Sequence, residues 1–405
     1  MLLLAPVLLA PATADGQAPL VRDSAGIAII DNVPLERGRE APLRVTLRPA
    51  LQLGVQDGDP NQQFSEIAAA VSLGNGSFAV ADQGSGEIRI FDRAGRFVRK
   101  VGRKGRGPGE FQRLAYLIAL PGDSLLAWDA LGGRFTVFSP SGAVARTFAA
   151  QVPPGTSPAT VVPVCGVPAN SSLFGYHRLR AAPPASEAVV RDTLVVALYA
   201  RDGAHLRTVD RFPALETLQH MSGTMPGLDG RPRQAFSIAG VPFARETVLC
   251  ASPEWLYAGD GGTSYEIMAY DRLGKLRRII RLRRPLERVT ADVIARHRST
   301  PRGRGTPSRP NPSPTVDAAF YPKTMPAYAA FRLDGAERLW VRDYPVPGET
   351  QSRWHIFDGA GRLVASVLAP SDIEVLAIGS KYLLAVWRDE LDVEYLRVYE
   401  VSTSG

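Results

Sequence analysis

Five aspartates close short apolar runs: Asp82 ends "SFAVAD", Asp129 "LLAWD", Asp260 "WLYAGD", Asp343 "RLWVRD" and Asp389 "LLAVWRD". Carboxylates gathered in one place can move protons or hold a hard cation such as calcium. A second chemistry is suggested by "RKVGRKGRGPGEFQRL", Arg99 to Leu114, which sets four glycines among Arg103, Lys104 and Arg106. Glycine beside cations is the composition of a phosphate cradle. His177 and Tyr344 are further binding candidates, Tyr344 because it opens the polar stretch "YPVPGETQSR" after Asp343. Cys165 and Cys250 are the only thiols, and a disulfide and two buried thiols are equally compatible with their β-like surroundings.

Each candidate also has a purely structural reading. The basic glycine stretch lacks the G-x-x-x-x-G-K-[ST] pattern and no helix follows it, so it fails as a phosphate loop. It reads instead as a corner, with Phe111 packed beneath it and its basic side chains solvated or touching an anion. An aspartate at a strand end ordinarily accepts hydrogen bonds from loop N–H groups. Its recurrence in unit after unit favours that role, because a catalytic residue seldom repeats. No G-x-S-x-G, H-E-x-x-H or S-x-x-K signature is present, and the five histidines are scattered. His177 and His220 are the pair that could meet near a binding face. No cofactor is implied by any motif.

The elements that must position these residues repeat. An aromatic, a polar turn, a glycine four positions on and a fresh alternating run recur at Phe91/Gly95, Phe138/Gly142, Tyr199/Gly203, Tyr270/Gly274 and Phe357/Gly361. Each reads as a hairpin, with glycine supplying the left-handed turn residue. The Asp-ended run precedes each hairpin except the third, which has "SLFGYHR" in its place. Each unit therefore holds about four short strands, the make-up of a propeller blade. The spacing between turn glycines grows along the chain, so insertions fall in loops.

The last unit offers Ile373–Ile378, Tyr382–Trp387 and Val393–Tyr399, one strand short of a blade. "LRVTLRPALQLG", near the N-terminus, supplies an alternating strand. The expectation is an all-β, six-bladed propeller over residues 42–405, its ring closed by Leu43–Leu53 pairing with the last strand. Closure removes edges that would pair with other chains, and a monomer is expected. In antiparallel blades the connections between blades emerge on the same face as the loops after the aspartates. The glycine corner should share that face with them.

The stretch "FAVADQGSGEIRIFDRAGRFVRKVGRKGRGPGEF" resembles NHL-type repeats. The whole chain, from about Val21 to Val401, resembles the bacterial secreted six-bladed β-propeller proteins that carry a G-x-G-x-GPGEF blade junction. "VRDSAGIAIIDNVP" is similar to the N-terminal segment of that family. The resemblance implies fold and export but no single activity, because propellers host many. Six-bladed lactonases similar to gluconolactonase hold calcium with Glu, Asn and Asp near the channel. Here Asn32, Asn61, Asn75, Asn170 and Asn311 all fall outside clear strands, and Glu66 is the one acidic residue suited to such a site.

Composition narrows the setting. The 405 residues carry a formal charge of +7, with 38 glycines and 33 prolines suited to many turns. Leu2–Ala10 is apolar and Ala12-Thr13-Ala14 matches a small-x-small cleavage site, so residues 1–14 read as a signal peptide and 15–41 as an extension. The expected location is periplasmic or extracellular, with no membrane span. Residues 286–325 form a basic Pro/Arg-rich insertion between the fourth and fifth blades, beginning with a short helix from Thr290. Its Arg296, Arg298, Arg302, Arg304 and Arg309 lack interleaved aromatics, which argues against nucleic acid. Two function classes follow: an envelope binding or scaffold module holding a protein, peptide or glycan on the junction face, and a metal-assisted hydrolase or lyase at the channel mouth.

Overall fold

A computed structural model describes residues 19–35, 43–152, 161–166, 172–184, 186–226, 232–262, 264–299 and 320–403. The leader pattern and Arg302, Arg304 and Arg309 lie outside them. Six sheets form six blades, antiparallel except for two parallel pairings in the fourth, and a two-stranded ladder joins the first two. Blade 1 runs Ile67–Ser72, Phe78–Asp82, Glu87–Phe91, Phe97–Val101, from inner to outer strand. Blade 2 repeats it with Leu114–Ala119, Leu125–Asp129, Arg134–Phe138 and Val144–Phe148.

The ring closes as the alternation requires. Glu394–Thr403, third strand of blade 6, pairs with both Leu43–Val45 and Leu51–Leu53. Leu43 lies opposite Thr403 and Leu53 opposite Leu396. Inner strands touch around the axis between blades 1 and 2, 4 and 5, 5 and 6, and 6 and 1.

The hairpin glycines are explained by contact between blades. Gly95, Gly142, Gly274 and Gly361 have φ of 82°, 93°, 70° and 82°. Each also lies against the preceding blade. A β-carbon would fall 2.7 Å from Leu53 at Gly95, 2.7 Å from Val101 at Gly142, 2.9 Å from Val209 at Gly274 and 2.8 Å from Ile280 at Gly361. The aromatics at the start of these turns are buried in the same seams, with Phe91 and Phe357 at 0% exposure.

Blade 3 is irregular. Its inner strand shrinks to Val162–Pro163, against the second strand Ser172–Leu179. The chain then crosses to blade 4, where Cys165–Gly166 runs parallel to Val248–Ala251. The long strands Ala188–Ala200 and His205–Pro226 overrun the blade, and Pro232–Gly240 folds back on the second of them. The polar run between "SLFGYHR" and "TLVVALYA" is thus partly strand.

Residues 19–35 of the N-terminal extension add to blade 4. Leu20–Ser24 and Ile27–Asn32 form a hairpin whose second strand runs parallel to Leu276–Leu282, widening blade 4. Asn32, read from sequence as outside any strand, ends this one and is 2% exposed. Its amide donates to the carbonyls of Arg281 (3.1 Å) and Gly361 (3.0 Å) and accepts from Leu363 N–H (2.8 Å). It ties blade 4 to the hairpin of blade 5, at the rim and away from the channel.

Candidate functional site at the channel mouth

The strand-end aspartates define one face of the ring but do different things there. Asp82 Oδ1 accepts the N–H groups of Ser65 (3.2 Å) and Glu66 (3.0 Å), just before the inner strand of its blade. Its Oδ2 accepts from the Ser85 hydroxyl and from Arg89 at 3.1 Å. Asp129 likewise accepts from Gln112 (3.1 Å) and Arg113 (2.9 Å). Both aspartates are fully buried, so they shape the face from beneath it. Asp389 closes a turn by accepting from Leu391 and Val393. Asp260 accepts from Gly262 N–H and lies 3.4 Å from Arg191. Asp343 is held by Arg284 at 2.7 Å.

The glycine stretch is a corner, and Glu110 is its centre. Arg103–Lys104 pairs parallel with Glu110–Phe111. The Glu110 carboxylate accepts Gly107 N–H at 2.8 Å and Arg103 Nε at 2.8 Å. The Gly107 N–H, with Arg103, holds its carboxyl below the ordinary value. A side chain at Gly105 would collide with that carboxylate. Phe111 is fully buried, 6.1 Å from the Phe138 ring, in the seam between blades 1 and 2. Of the three cations, Arg103 is paired with Glu110, Arg106 Nε donates to Gln112 at 3.1 Å, and Lys104 is exposed.

The same face carries a cleft of about 490 Å³ across blades 4, 5 and 6. Its walls are the starts of three inner strands and the ends of two second strands, which places it at the mouth of the channel. Arg332, Arg342 and Arg388 border it, with Glu246, Asp372 and Glu374. Arg332 is held across the seam between blades 5 and 6, Arg342 by the connection between those blades, and Arg388 by a carboxylate of its own blade. Arg332 Nε donates to the Val375 carbonyl at 2.9 Å, and Arg342 donates to the Ser371 carbonyl at 3.3 Å. Arg388 donates to Glu394 at 2.6 and 2.9 Å, and Glu394 in turn accepts Ile67 N–H of blade 1. Guanidinium groups fixed in this way suit carboxylate or phosphate recognition, because little side-chain freedom remains to be lost. A smaller cavity of about 180 Å³, reaching Tyr176 and Arg178 of blade 3, shares Glu246 and Thr247.

These residues are absent from the candidates read from sequence. One signal was available. The residue before the strand-end aspartate is Ala81, Trp128 and Gly259 in blades 1, 2 and 4, but Arg342 and Arg388 in blades 5 and 6. Period-two alternation puts that residue on the opposite side of the strand from the aspartate.

The remaining candidates are dispersed. Tyr344 belongs to a cap. The helix Ala291–Ser299 begins after Thr290, whose hydroxyl accepts Val293 N–H, and buries Val293 with Phe243 and Met325. Phe243 packs 4.9 Å from His297 and 6.2 Å from Tyr344. His177 is not at the face. It is 0% exposed within blade 3, and among the described residues neither ring nitrogen has a hydrogen-bond partner. Burial, with Arg211 and His205 nearby, lowers its pKa. Strand register sets His177 opposite Val195 and Val195 opposite Arg211, not His220. Glu66 adjoins the inner strand of blade 1 by its backbone contacts to Asp82 and Gln83. Among the described residues, no three His, Cys, Asp or Glu side chains converge as a metal group.

Comparison with known proteins agrees with the fold. Residues 63–145 match the model of a protein family described as a 6-bladed beta-propeller, which covers the glycine corner. No curated protein matches the chain. Among solved structures, the chain is similar to an exported-protein candidate from Bacteroides fragilis, at 12% identity and a TM-score of 0.46, covering 93% of this chain and 100% of that one. It is similar to a member of the duf4221 family from Bacteroides vulgatus, at 10% identity and 0.44, covering 90% and 99%. It is also similar to virginiamycin B lyase from Staphylococcus aureus, at 8% identity and 0.40, covering 87% and 98%. No helix among the described residues is long and apolar enough to cross a membrane.

Proposed function

We propose that this protein is an exported binding or scaffold module whose junction face holds a protein, peptide or glycan partner bearing acidic groups. The supporting observation is the channel-mouth cleft, where Arg332 and Arg342 are fixed by carbonyls of blade 6 and of the connection leading into it, and Arg388 by Glu394. Its volume falls within the roughly 300–1,000 Å³ of small-molecule and side-chain pockets. The long connections gather on the same face: the Arg103–Glu110 corner, the helix Ala291–Ser299 and the loop after Asp343. Binding residues concentrate on loops carried by a rigid scaffold. Export is supported by the apolar run Leu2–Ala10 and the site at Ala12-Thr13-Ala14.

The test is cross-linking of the full chain to envelope extract, with mass spectrometry to place the links. Links should fall on the Arg103–Glu110 corner, the helix and the loop after Asp343. Retention should weaken as salt rises, because exposed charges are screened within about 8 Å at physiological ionic strength. Replacing Arg103, Lys104 and Arg106 together with Ser should lower retention further. Links confined to the hairpin face, or retention indifferent to both salt and the triple replacement, would sink the reading.

A further inference from the structure

A second cleft, of about 370 Å³, opens on the opposite face between blades 2 and 3. Its walls are apolar, formed by Leu126 and Val137 of blade 2 and Leu173 of blade 3, with Phe148 at one side. Phe148 is stacked on Phe135 at 5.1 Å, so that wall is fixed. Arg146 and Arg201, from the two facing blades, border the same cleft. Arg146 is half-buried with its guanidinium 4.9 Å from the Phe148 ring centre.

Neither arginine is in an ion pair among the described residues. The neighbouring acid, Asp202, accepts Ala204 N–H at 3.0 Å and attracts Arg146 without forming an ion pair with it. Burial lowers the pKa of Arg146, and repulsion from Arg201 lowers it by more than the attraction of Asp202 raises it. Two cations that repel each other beside an apolar cavity are favoured by an anion placed between them. Most other arginines near blade seams have a carboxylate or carbonyl, as Arg332, Arg342 and Arg388 do.

We infer that this cleft is a binding site for a small amphiphilic carboxylate, with its tail between Leu126, Val137 and Leu173 and its head between Arg146 and Arg201. The volume is that of a small-molecule pocket, and enclosure between two blades suits a free molecule more than a bilayer surface. The site is independent of the junction face, because no residue is shared between the two.

Octanoate is the probe, titrated calorimetrically into the full chain. Saturable one-to-one binding is expected. Each methylene added between butyrate and octanoate should tighten it about fourfold, the fold-change that ~0.8 kcal/mol per buried CH₂ implies. Arg201→Glu lies on an exposed hairpin and should weaken binding by about tenfold or more, the scale of a lost charge-assisted hydrogen bond. Arg146→Ala should do the same, with circular dichroism confirming the fold. Ser124→Trp, at the rim, should block binding while leaving both arginines in place. Replacement of Arg103, Lys104 and Arg106 should leave octanoate binding unchanged, which separates this site from the junction face. The inference is overturned if octanoate shows no saturable heat, if octyltrimethylammonium binds as well, or if Arg201→Glu binds as tightly as the parent.

Discussion

Gly142 of blade 2 lies against Val101 of blade 1 so closely that a β-carbon would stand 2.7 Å from the Val101 side chain. The same residue has φ of 93°, so two separate constraints select glycine there. Gly122 offers the control: its φ is 75°, but a β-carbon would meet nothing within 4 Å. Gly142→Ala should therefore cost more than Gly122→Ala in urea unfolding. Backbone strain alone accounts for about 1–3 kcal/mol in either variant. The excess at Gly142 measures the contact between blades, and equal losses would show that the seam yields freely.

Asn32 makes three hydrogen bonds while nearly fully buried, two of them across the seam between blades 4 and 5. Asn32→Ala should lower stability by about 1–3 kcal/mol, because buried backbone groups lose their partner. Hydrogen exchange should rise at Leu363, whose N–H the side chain accepts. Unchanged exchange there would mean that the hairpin is not held through Asn32.

Cys165 and Cys250 are register partners on adjacent parallel strands. Neighbouring strands lie about 4.7–4.9 Å apart, inside the roughly 4.4–6.8 Å that a disulfide requires. Protein purified from an oxidising compartment should resist alkylation at both positions until it is reduced. Reduction should then lower stability by about 2–4 kcal/mol. Two thiols reactive in denaturant before any reduction would exclude the bond.

His177 makes stability depend on pH in a stated direction. Its folded pKa is lowered, so the unfolded chain binds the proton more readily. Its contribution is complete above the unfolded value of about 6.5 and is lost as pH falls from there toward the folded pKa. His177→Leu should flatten that part of the curve measured by urea unfolding. A parent and variant with parallel curves below neutrality would place the proton uptake elsewhere.

The sequence by itself determined the ring. Alternation in the strands, the aromatic-to-glycine hairpins and a last unit one strand short could be satisfied together only by six blades closed from the N-terminus. These are local or periodic constraints, and they are written where they act. The corner at Gly102–Glu110 was legible for the same reason, since its glycines and Glu110 interact within a few residues of one another. Tertiary structure alone decided which residues meet across seams. Asn32 reaches Gly361, Arg332 reaches Val375, and Arg146 faces Arg201 from the next blade. None of these pairs has a periodic signature, because the strands that bring them together belong to different repeats. The same distinction separates the aspartates. All five share one sequence position, yet Asp82 and Asp129 are buried under backbone N–H groups while Asp343 meets an arginine from the blade before it. A repeat fixes where a side chain begins, but its charge partner is set by the neighbouring blade.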